Sequence, residues 1–550
     1  MSRPPGWSRR HLLGAAGGLA GALATGVPTT AQASTAGTAG TASTAGAAPG
    51  PVTIRPGDSR YASLLLGDNL RFTGSPDEIQ VVGSTEQVVR AVQEAVRRGA
   101  WVAARSGGHC FENFTADPGI RVLLDLSPLN AVRYDAERRA FEVQPGATLG
   151  QVYRTLFKGW GVTIPAGGCP EVGAGGHLVG GGYGPLSRRY GSVVDHLYGV
   201  ELVVVDRDGT ARVVVATREP DDPNRELWWA HTGGGGGNFG VVTRYWLRSP
   251  TADGPDTTDP ARLLPPAPGQ LLEHLLYWPW DDRMTEQAFV TLLRNFGTWH
   301  ERNSAPDSPT TGLYAILEPA HQSAGGFQLL IQIDAGIPGA RAMVKDFIDA
   351  LIAGTGLDSS QGGERTFPWL YPMTWPGKGE AGDMLTRRYK GKAGYLRRSY
   401  TDAQLRTIHG HLVNKTGTPA CGMLLVGYGG LVRAVAPDAT ATAQRDVVMK
   451  AVFHSVWADE TGDDTNLTWV RELYRDVYRD TGGVPVPDEV SDGSYINYPD
   501  TDLADPAWNT SGVPWSTLYY KQNYPRLQRV KARWDPRNVF HHALSIELPS

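Results

Sequence analysis

Three glycine-rich stretches decide the fold. They are Arg105-Ser-Gly-Gly-His109, then Pro165-Ala-Gly-Gly-Cys-Pro-Glu-Val-Gly-Ala-Gly-Gly-His177 with Gly180-Gly-Gly-Tyr-Gly184 behind it, and Gly233-Gly-Gly-Gly-Gly-Asn-Phe-Gly240. Glycine has no Cβ, so successive backbone N–H groups in such loops can point at an anion or approach a flat ring closely. His109 and Cys169 are nucleophilic side chains on glycine-flanked turns, and either can therefore reach a bound group.

The third stretch contains a G-x-G-x-x-G pattern, Gly235-Gly-Gly-Asn-Phe-Gly240, that invites a nicotinamide-binding interpretation. A strand, 241–247, is predicted directly after it, where a dinucleotide-binding βαβ unit needs a helix. The segment about twenty residues further on is a Pro/Asp loop without a clear ribose-binding acid. We therefore reject a nicotinamide site.

Working outward, the apolar periodicity predicts a mixed chain. Apolar residues at 88, 89, 92 and 96 predict a helix over 86–98, and 149–157 also has helical spacing. Residues 251–270 are rich in Pro, Asp, Thr and Gly and predict a domain boundary. Short apolar runs that end in turn residues predict strands at 101–104, 123–126, 141–146, 200–205, 211–215, 241–247, 329–333, 422–426 and 451–457.

The amino-terminal fifty residues are typical of an export signal and a spacer. Basic residues precede a short apolar run, 12–27, and Ala-Gln-Ala at 31–33 fits a cleavage site. Arg9-Arg10 resembles a twin-arginine signal, and an ordinary secretory signal is the alternative. We predict a signal peptide over 1–33, a low-complexity linker over 34–50, an extracellular protein exported in the folded state, and no membrane anchor after cleavage.

Composition excludes several classes of protein. The chain has 550 residues with 41% hydrophobic and 20% charged residues, which is enough apolar surface for a core. Its net charge of −4 offers no basic footprint for nucleic acid. Three cysteines are too few for a disulfide scaffold or an iron–sulfur site, although Cys110 and Cys421 remain a possible pair. His541-His542 lacks metal-ligand spacing, so no metal site is predicted.

Four ordered motifs resemble the flavin-linked oxidases of the berberine bridge enzyme type, within the vanillyl-alcohol-oxidase superfamily. The first glycine-rich stretch resembles the loop whose histidine carries FAD through its 8α-methyl group, and the second resembles the loop whose cysteine bonds flavin C6. The segment 495–500 (YINYPD) resembles the Y-x-N-Y-x-D motif, and 519–540 resembles the closing segment. The resemblance implies FAD attached covalently to both His109 and Cys169.

The same motifs imply the other residues around the cofactor. His177 is expected either to contact the pyrophosphate or to pack. Besides His109 and Cys169, the implied cofactor-binding set is Arg105, Ser106, Gly107, Gly108, Gly173, Gly175, Gly176, His177, Gly182, Tyr183, Gly237, Asn238, Gly240, Val241, Tyr495 and Asn497.

An enzyme that oxidises an alcohol carbon needs a base for the hydroxyl proton. By resemblance the base is Tyr498, with Tyr428 as a weaker candidate partner. A free tyrosine has a pKa of about 10, so a nearby cation or second hydroxyl must lower the pKa of this base. Asn497 and Asp500 are expected to hold Tyr498 in place.

The resemblance, with the tyrosine, favours a secreted FAD oxidase that oxidises CH–OH groups of a carbohydrate, a glycoside or a polyketide-type metabolite, with O2 as acceptor and H2O2 as product. The alternatives are oxidative cyclisation or dehydrogenation through C–C or C–N chemistry, and a dehydrogenase that uses another acceptor. Trp278, Trp280, Trp369 and Trp375 suit sugar stacking, although core packing is the more economical interpretation.

The implied fold is α+β. A PCMH-type FAD-binding domain is expected to be built from two chain segments, with an inserted substrate domain of antiparallel sheet and helices on one face. The expected boundaries are 51–250 for the FAD-binding domain, 251–485 for the substrate-binding domain, and 486–550 for a segment that returns to the FAD-binding domain.

Overall fold

A computed structural model describes residues 50–252, 257–374 and 387–549, which fold into three sheets and the helices around them. The predicted signal peptide, nearly all of the linker, and Trp375 lie outside the described residues. The α+β prediction is confirmed: helices alternate with parallel and antiparallel strands along the chain.

The first sheet carries the loop that contains His109. Its order is β1-β2-β4-β3, with β2, β4 and β3 parallel and β1 antiparallel at one edge. The first glycine-rich stretch leaves the carboxyl end of β3. The strands are β1 (Val52–Ile54), β2 (Glu78–Val81), β3 (Val102–Arg105) and β4 (Val122–Asp125).

The second sheet is antiparallel, in the order β5-β6-β9-β7-β8. The second and third glycine-rich stretches are connected to this sheet. The second lies before β7 in the chain, and the third lies directly before β9. The strands are β5 (Val132–Asp135), β6 (Ala140–Val143), β7 (Leu197–Val205), β8 (Ala211–Thr217) and β9 (Val241–Leu247).

The third sheet is a larger antiparallel sheet, in the order β13-β10-β12-β11-β15-β16-β14. One face is packed by helices and the other carries half-buried side chains. The strands are β10 (Gln270–Pro279), β11 (Tyr314–Glu318), β12 (Gly326–Asp334), β13 (Gly362–Pro368), β14 (Arg388–Leu396), β15 (Cys421–Gly427) and β16 (Met449–Trp457).

Two of the helices around the site begin at side-chain caps. Ser84 and Thr148 accept backbone N–H bonds at their starts, and Gly161 ends the second in the left-handed region, at φ 70°. The helices are α1 (Tyr61–Leu65), α2 (Thr85–Arg97), α3 (Leu149–Trp160), α4 (Ala174–Val179), α5 (Ser187–Tyr190), α6 (Arg225–Ala230), α7 (Glu286–Arg302), α8 (Ala340–Ile352), α9 (Leu370–Thr374), α10 (Asp402–Leu412), α11 (Asp463–Val477), α12 (Trp515–Tyr520) and α13 (Tyr524–Trp534).

The helices of the third sheet cover one of its faces, as predicted. Helix α11 packs on β16 and β14, α8 packs on β12, and α7 joins α8 to α10. Trp278 and Trp369 are buried in this core, and Trp280 packs against it, so these tryptophans do not form a sugar platform.

The cysteines, the apolar helices and the possible metal ligands complete the description of the fold. Cys110 and Cys421 are not joined by a disulfide; the Cys421 thiol lies 3.1 Å from the Ser455 hydroxyl on β16 instead. Within residues 50–252, 257–374 and 387–549, no helix combines the length and apolar character needed to cross a bilayer. In the same residues, no group of three His, Cys, Asp or Glu side chains is arranged to hold a metal ion.

Candidate active site

The first two glycine-rich loops touch backbone to backbone. A Cβ added to Gly107 would collide with the backbone of Gly173, and one added to Gly173 would lie 2.8 Å from the Gly107 Cα. Ser106 donates to the Pro145 carbonyl at 2.5 Å, which fixes the loop to the second sheet. The residues that carry His109 and Cys169 are thereby held in one wall.

His109 lies half-buried at the end of its loop, beside a buried carboxylate. Its Nδ1 is 3.7 Å from Asp68 Oδ2, and Arg387 pairs with the same carboxylate at 3.0 Å. Burial lowers the pKa of His109 below its ordinary value, although Asp68 opposes the shift. The imidazole is therefore neutral near pH 7, which is the form that can act as a nucleophile.

The second loop is fixed around Cys169 by groups of its own. The Cys169 thiol lies 3.5 Å from Glu171 Oε2. His177 accepts the Gly167 N–H at 3.2 Å, and burial lowers the pKa of His177 to about 4. A neutral, half-buried His177 therefore fastens this loop through the Gly167 N–H.

The two loops leave a gap that suits a flat or anionic group. A Cβ added to Gly168 or Gly176 would meet no atom within 4 Å, whereas Gly175 has no such room because Pro145 and Ser106 lie 3.0 Å away. Backbone therefore faces open space beside two nucleophilic side chains. These residues fit FAD, which His109 and Cys169 would hold and which supplies a two-electron acceptor when bound.

The third glycine-rich stretch is held both by Asn238 within it and by residues near the carboxyl end of the chain. The Asn238 amide donates to the carbonyls of Gly234 and Gly235 and accepts the Ile546 N–H at 2.7 Å, so it shapes the loop. Val241 is buried in an apolar cluster with residues of the first sheet, and the structure does not bring its side chain to the site. Gly240 leaves no room for a side chain beside the Val203 carbonyl, 2.5 Å from a Cβ built there.

Tyr183 and Tyr498 meet although they are 315 positions apart, and their hydroxyls share a hydrogen bond of 2.9 Å. Tyr183 is buried and Tyr498 is half-buried. Burial is the main reason that the pKa of Tyr183 lies well above its ordinary value, and the neighbouring Tyr498 is the next largest cause. The second hydroxyl required beside Tyr498 is therefore that of Tyr183, and not that of Tyr428.

Tyr495 and Asn497 join the tyrosine loop to the second glycine-rich loop. The Tyr495 hydroxyl accepts the Gly182 N–H at 2.9 Å, and the Asn497 amide donates to the His177 carbonyl at 2.9 Å and to the Tyr495 hydroxyl at 3.0 Å. Both residues thus hold the two loops together.

Lys450, on β16, is the main residue that the sequence analysis missed. Its Nζ lies over the rings of Tyr183, Tyr495, Tyr428 and Tyr395, 3.4 to 4.8 Å from their centroids. Among the described residues, no carboxylate lies in salt-bridge range of it. Burial lowers the pKa of Lys450 well below its ordinary value, and the positive charge of Arg445 lowers it further. A lysine at the second position of a strand whose residues are largely apolar is the sequence signal that could have found it.

Tyr428 belongs to this ring cluster but faces another partner. Its hydroxyl shares a 2.9 Å hydrogen bond with Ser192, and burial raises its pKa to about 12. The structure therefore places Tyr428 beside Lys450 and not beside the Tyr498 hydroxyl.

Asp500 does not touch the Tyr498 side chain. Its carboxylate contacts Lys390 at 2.7 Å and Lys392 at 2.5 Å, both on β14. Lys390 also pairs with Glu112, three residues after His109, at 2.5 Å. These charges were not identified from the sequence, because the strand that carries both lysines, RYKGKAGYL, lacks the apolar run from which a buried strand is predicted.

The open face of the third sheet leads away from the tyrosines. Strand register places Tyr314 opposite Gln332, Gln332 opposite Glu273, and Glu273 opposite Arg365. Gln332 donates to Glu273 at 2.9 Å. Register also puts this row on the face that carries Lys450. Polar groups spaced about 4.8 Å apart across strands make a wall for a polyhydroxylated ligand.

The chain is similar to known proteins in both sequence and fold. A family model described as an FAD binding domain matches residues 76–214, and one described as berberine and berberine like matches 494–547. The chain is 50% identical over 551 residues to aclacinomycin-N/aclacinomycin-A oxidase of Streptomyces galilaeus, with 99% of each chain covered. Hexose oxidase of Chondrus crispus is 31% identical over 540 residues, 90% of this chain and 94% of that one. The solved structure of a glycopeptide hexose oxidase complexed with teicoplanin matches with a TM-score of 0.87 and 52% identity, covering 91% of this chain and 99% of that one.

Proposed function

The chain belongs to the berberine bridge enzyme-like FAD-linked oxidases and is an oxidoreductase, and from that premise we propose that it oxidises a CH–OH group of a carbohydrate or a glycosylated secondary metabolite. Its relatives include enzymes named as aclacinomycin, hexose and glycopeptide hexose oxidases. Their names describe oxidation of sugars or of sugar-bearing metabolites, which is the substrate class we propose for this chain.

The hydroxyl pair of Tyr183 and Tyr498 is the observation that carries the proposal. Oxidation of an alcohol removes a proton from the hydroxyl group and a hydride from the carbon, and a positioned base lowers the barrier to the first loss. Tyr498 is half-buried and so can face a ligand, whereas Tyr183 behind it is buried. Tyr498 takes the substrate proton in this scheme.

Two neighbours can stabilise a phenolate on Tyr498 in this scheme, although burial opposes ionisation of Tyr183 itself. A phenolate on Tyr498 accepts a hydrogen bond from Tyr183, and the Lys450 ammonium over the Tyr183 ring stabilises negative charge close by. FAD, when bound, supplies the hydride acceptor, which O2 regenerates with release of H2O2.

The cofactor is proposed to be attached at both His109 and Cys169. The packed glycine loops and the neutral His109 imidazole support this assignment. Two tethers retain the ring without protein covering it, so a bulky glycoside can approach over the row of Tyr314, Gln332 and Glu273. We also propose that the enzyme is exported in the folded state by its twin-arginine-like signal.

A peroxide assay over monosaccharides and glycosides, with purified protein, tests the substrate class. We expect substrate-dependent H2O2 and a carbonyl product two hydrogens lighter than the alcohol. A product formed by ring closure, or electron transfer to a dye without H2O2, would replace the proposal with one of its alternatives.

Peptide mapping of the denatured protein tests the attachment. FAD mass is expected on the peptides that contain His109 and Cys169. Cys169→Ala should keep FAD on His109 only, and His109→Ala should keep it on Cys169 only. A colourless, folded wild-type protein would contradict the oxidase proposal altogether.

A further inference from the structure

A buried ionic network joins three distant parts of the chain. Lys390 bridges Glu112 at 2.5 Å and Asp500 at 2.7 Å, and Lys392 contacts Asp500 at 2.5 Å. The network continues to Asp502, which Lys392 contacts at 2.9 Å and Arg471 on α11 contacts at 2.8 Å. Three carboxylates thus face three cations, and the charges balance.

The network ends at the two loops that carry the chemistry. Glu112 follows His109 by three positions, and Asp500 follows Tyr498 by two. Glu112 Oε1 also accepts the Thr501 N–H at 3.4 Å, so the two loops meet directly. The rings of Phe111 and Tyr498 stack with centroids 5.1 Å apart.

The strand β14 is the rigid element between the loops. Asn69 donates to the carbonyls of both Phe111 and Tyr389 at 3.0 Å and accepts the Tyr389 N–H at 3.2 Å. The chain therefore fixes the His109 loop to β14 through an amide as well as through Lys390. Two independent attachments at one place restrict movement of that loop along the strand.

Stability alone gives no reason for this arrangement. The Lys390, Lys392, Glu112, Asp500 and Asp502 side chains are at most 5% exposed. Burying a charge costs hydration free energy, and the attraction between the buried charges does little more than offset that cost. Well-packed apolar residues stabilise a core equally well. Buried ion pairs do specify one geometry, because their directions and distances are fixed.

We propose that Glu112, Lys390, Asp500 and Lys392 form a positioning network that fixes Tyr498 relative to the group carried by His109. These are positioning residues, since none of them contacts the Tyr498 hydroxyl. The inference rests on the proposed function, in which proton transfer to Tyr498 and hydride transfer must occur in one geometry. A displacement of about 1 Å between reacting groups reduces rates by about 100-fold.

The double variant Glu112→Gln/Lys390→Met tests the network. It removes one negative and one positive charge, so Asp500 and Asp502 remain balanced by Lys392 and Arg471. We expect covalent flavin on His109 at the wild-type level, a melting temperature close to that of the wild type, and a KM near the wild-type value. The rate of flavin reduction at saturating substrate should fall by about 100-fold.

A matched control lies on the same strand and helix. Arg388 on β14 pairs with Asp463 on α11 at 2.6 Å and donates to the Leu70 carbonyl at 2.8 Å, and neither partner lies in the loops that carry His109 and Tyr498. Arg388→Gln/Asp463→Asn should therefore reduce flavin at the wild-type rate. A folded double variant of Glu112 and Lys390 that also reduces flavin at the wild-type rate would overturn the proposal.

Glu112→Gln alone is the milder test if the double variant does not fold. It leaves an oxygen acceptor for Lys390 and Thr501 but removes the charge. The readout needs no substrate: in the proposed arrangement, ionisation of Tyr498 should change the visible spectrum of the bound flavin, and we expect the midpoint pH of that change to shift. An unchanged midpoint together with an unchanged rate would refute the network. If wild-type enzyme oxidises no glycoside, the proposed function fails while this spectral test still reports on the network.

Discussion

Buried lysines on two neighbouring strands of the same sheet meet opposite surroundings. Lys390 and Lys392, on β14, face carboxylates under α11, whereas Lys450, on β16, faces four tyrosine rings on the other side of the sheet. The carboxylates raise the pKa of Lys390 against the effect of burial, while burial with Arg445 lowers the pKa of Lys450.

The difference teaches how one residue type serves two purposes. An ammonium group that is paired with carboxylates stays charged near neutral pH and holds the elements around it in one geometry. An ammonium held only by ring faces keeps its charge weakly, so the charge responds to what happens on the rings. Chemistry is expected on the side of the sheet where charge is under-compensated.

Tyr498→Phe is expected to have the largest effect on the ring side. Without the phenol oxygen the substrate proton has no acceptor, and turnover should fall by about 10²- to 10⁴-fold. Covalent flavin should be retained, because Tyr498 is not in the attachment loops. Steady-state H2O2 production measures the loss, with flavin absorbance as the control. Full activity in this variant would mean that Tyr498 is not the base, and it would favour C–C or C–N chemistry.

Lys392→Met should have the largest effect on stability, on the ionic side. It leaves Asp500 with Lys390, and Asp502 with Arg471 and a longer 3.6 Å contact to Lys390, and breaking a buried ion pair costs about 3–5 kcal/mol. Denaturant unfolding of the purified enzyme measures the change. If Lys450→Met is equally destabilising, the proposed difference between the two groups of lysines is wrong.

Lys450→Met should change the pH profile more than the stability. A desolvated cation–π contribution of about 2 kcal/mol corresponds to about a 30-fold loss of rate near neutral pH. The ammonium is present at low pH and is lost as pH rises through its lowered pKa. The rising limb, which reports ionisation of the tyrosine pair, should therefore move to higher pH in the variant. A pH–rate profile unchanged in shape would contradict the assignment.

Tyr428→Phe should have the smallest effect. Its hydroxyl bonds Ser192 and not the Tyr183–Tyr498 pair, so a net loss of about 1 kcal/mol is expected, and rates should fall less than about tenfold. The ring that supports Lys450 is kept. A loss as large as that of Tyr498→Phe would restore Tyr428 as a catalytic residue.

The features that depend on neighbouring residues in the chain could be predicted from the sequence. Glycine loops, alternating apolar strands and the helices α2 and α3 depend on residues near one another in the chain, and each was predicted within a few positions. The tyrosine motif was found because it resembles a known pattern. The hydrogen bonds that join this motif to the second glycine-rich loop, through Tyr495 and Asn497, span 313 and 320 positions and were not predicted.

The long-range parts were not readable. Tyr183 and Tyr498 come together over 315 positions, and Lys390 reaches Asp500 from another element altogether. Lys450 has no local partner that would mark it, because its rings come from four different segments. Sequence pattern identifies a charge inside a strand as costly, but only the sheet register shows what compensates it.

The glycine run near residue 235 cannot complete its contacts until the carboxyl end of the chain has been synthesised. Tyr520 donates to the Gly234 carbonyl, Lys531 to the Asn238 carbonyl, and the Ile546 N–H to Asn238 Oδ1, over separations of 286 to 308 positions. A ribosome exposes the glycine run long before it has made these partners. The loop therefore takes its final shape only late in translation, and the cofactor can be captured by a complete wall only after that segment has emerged.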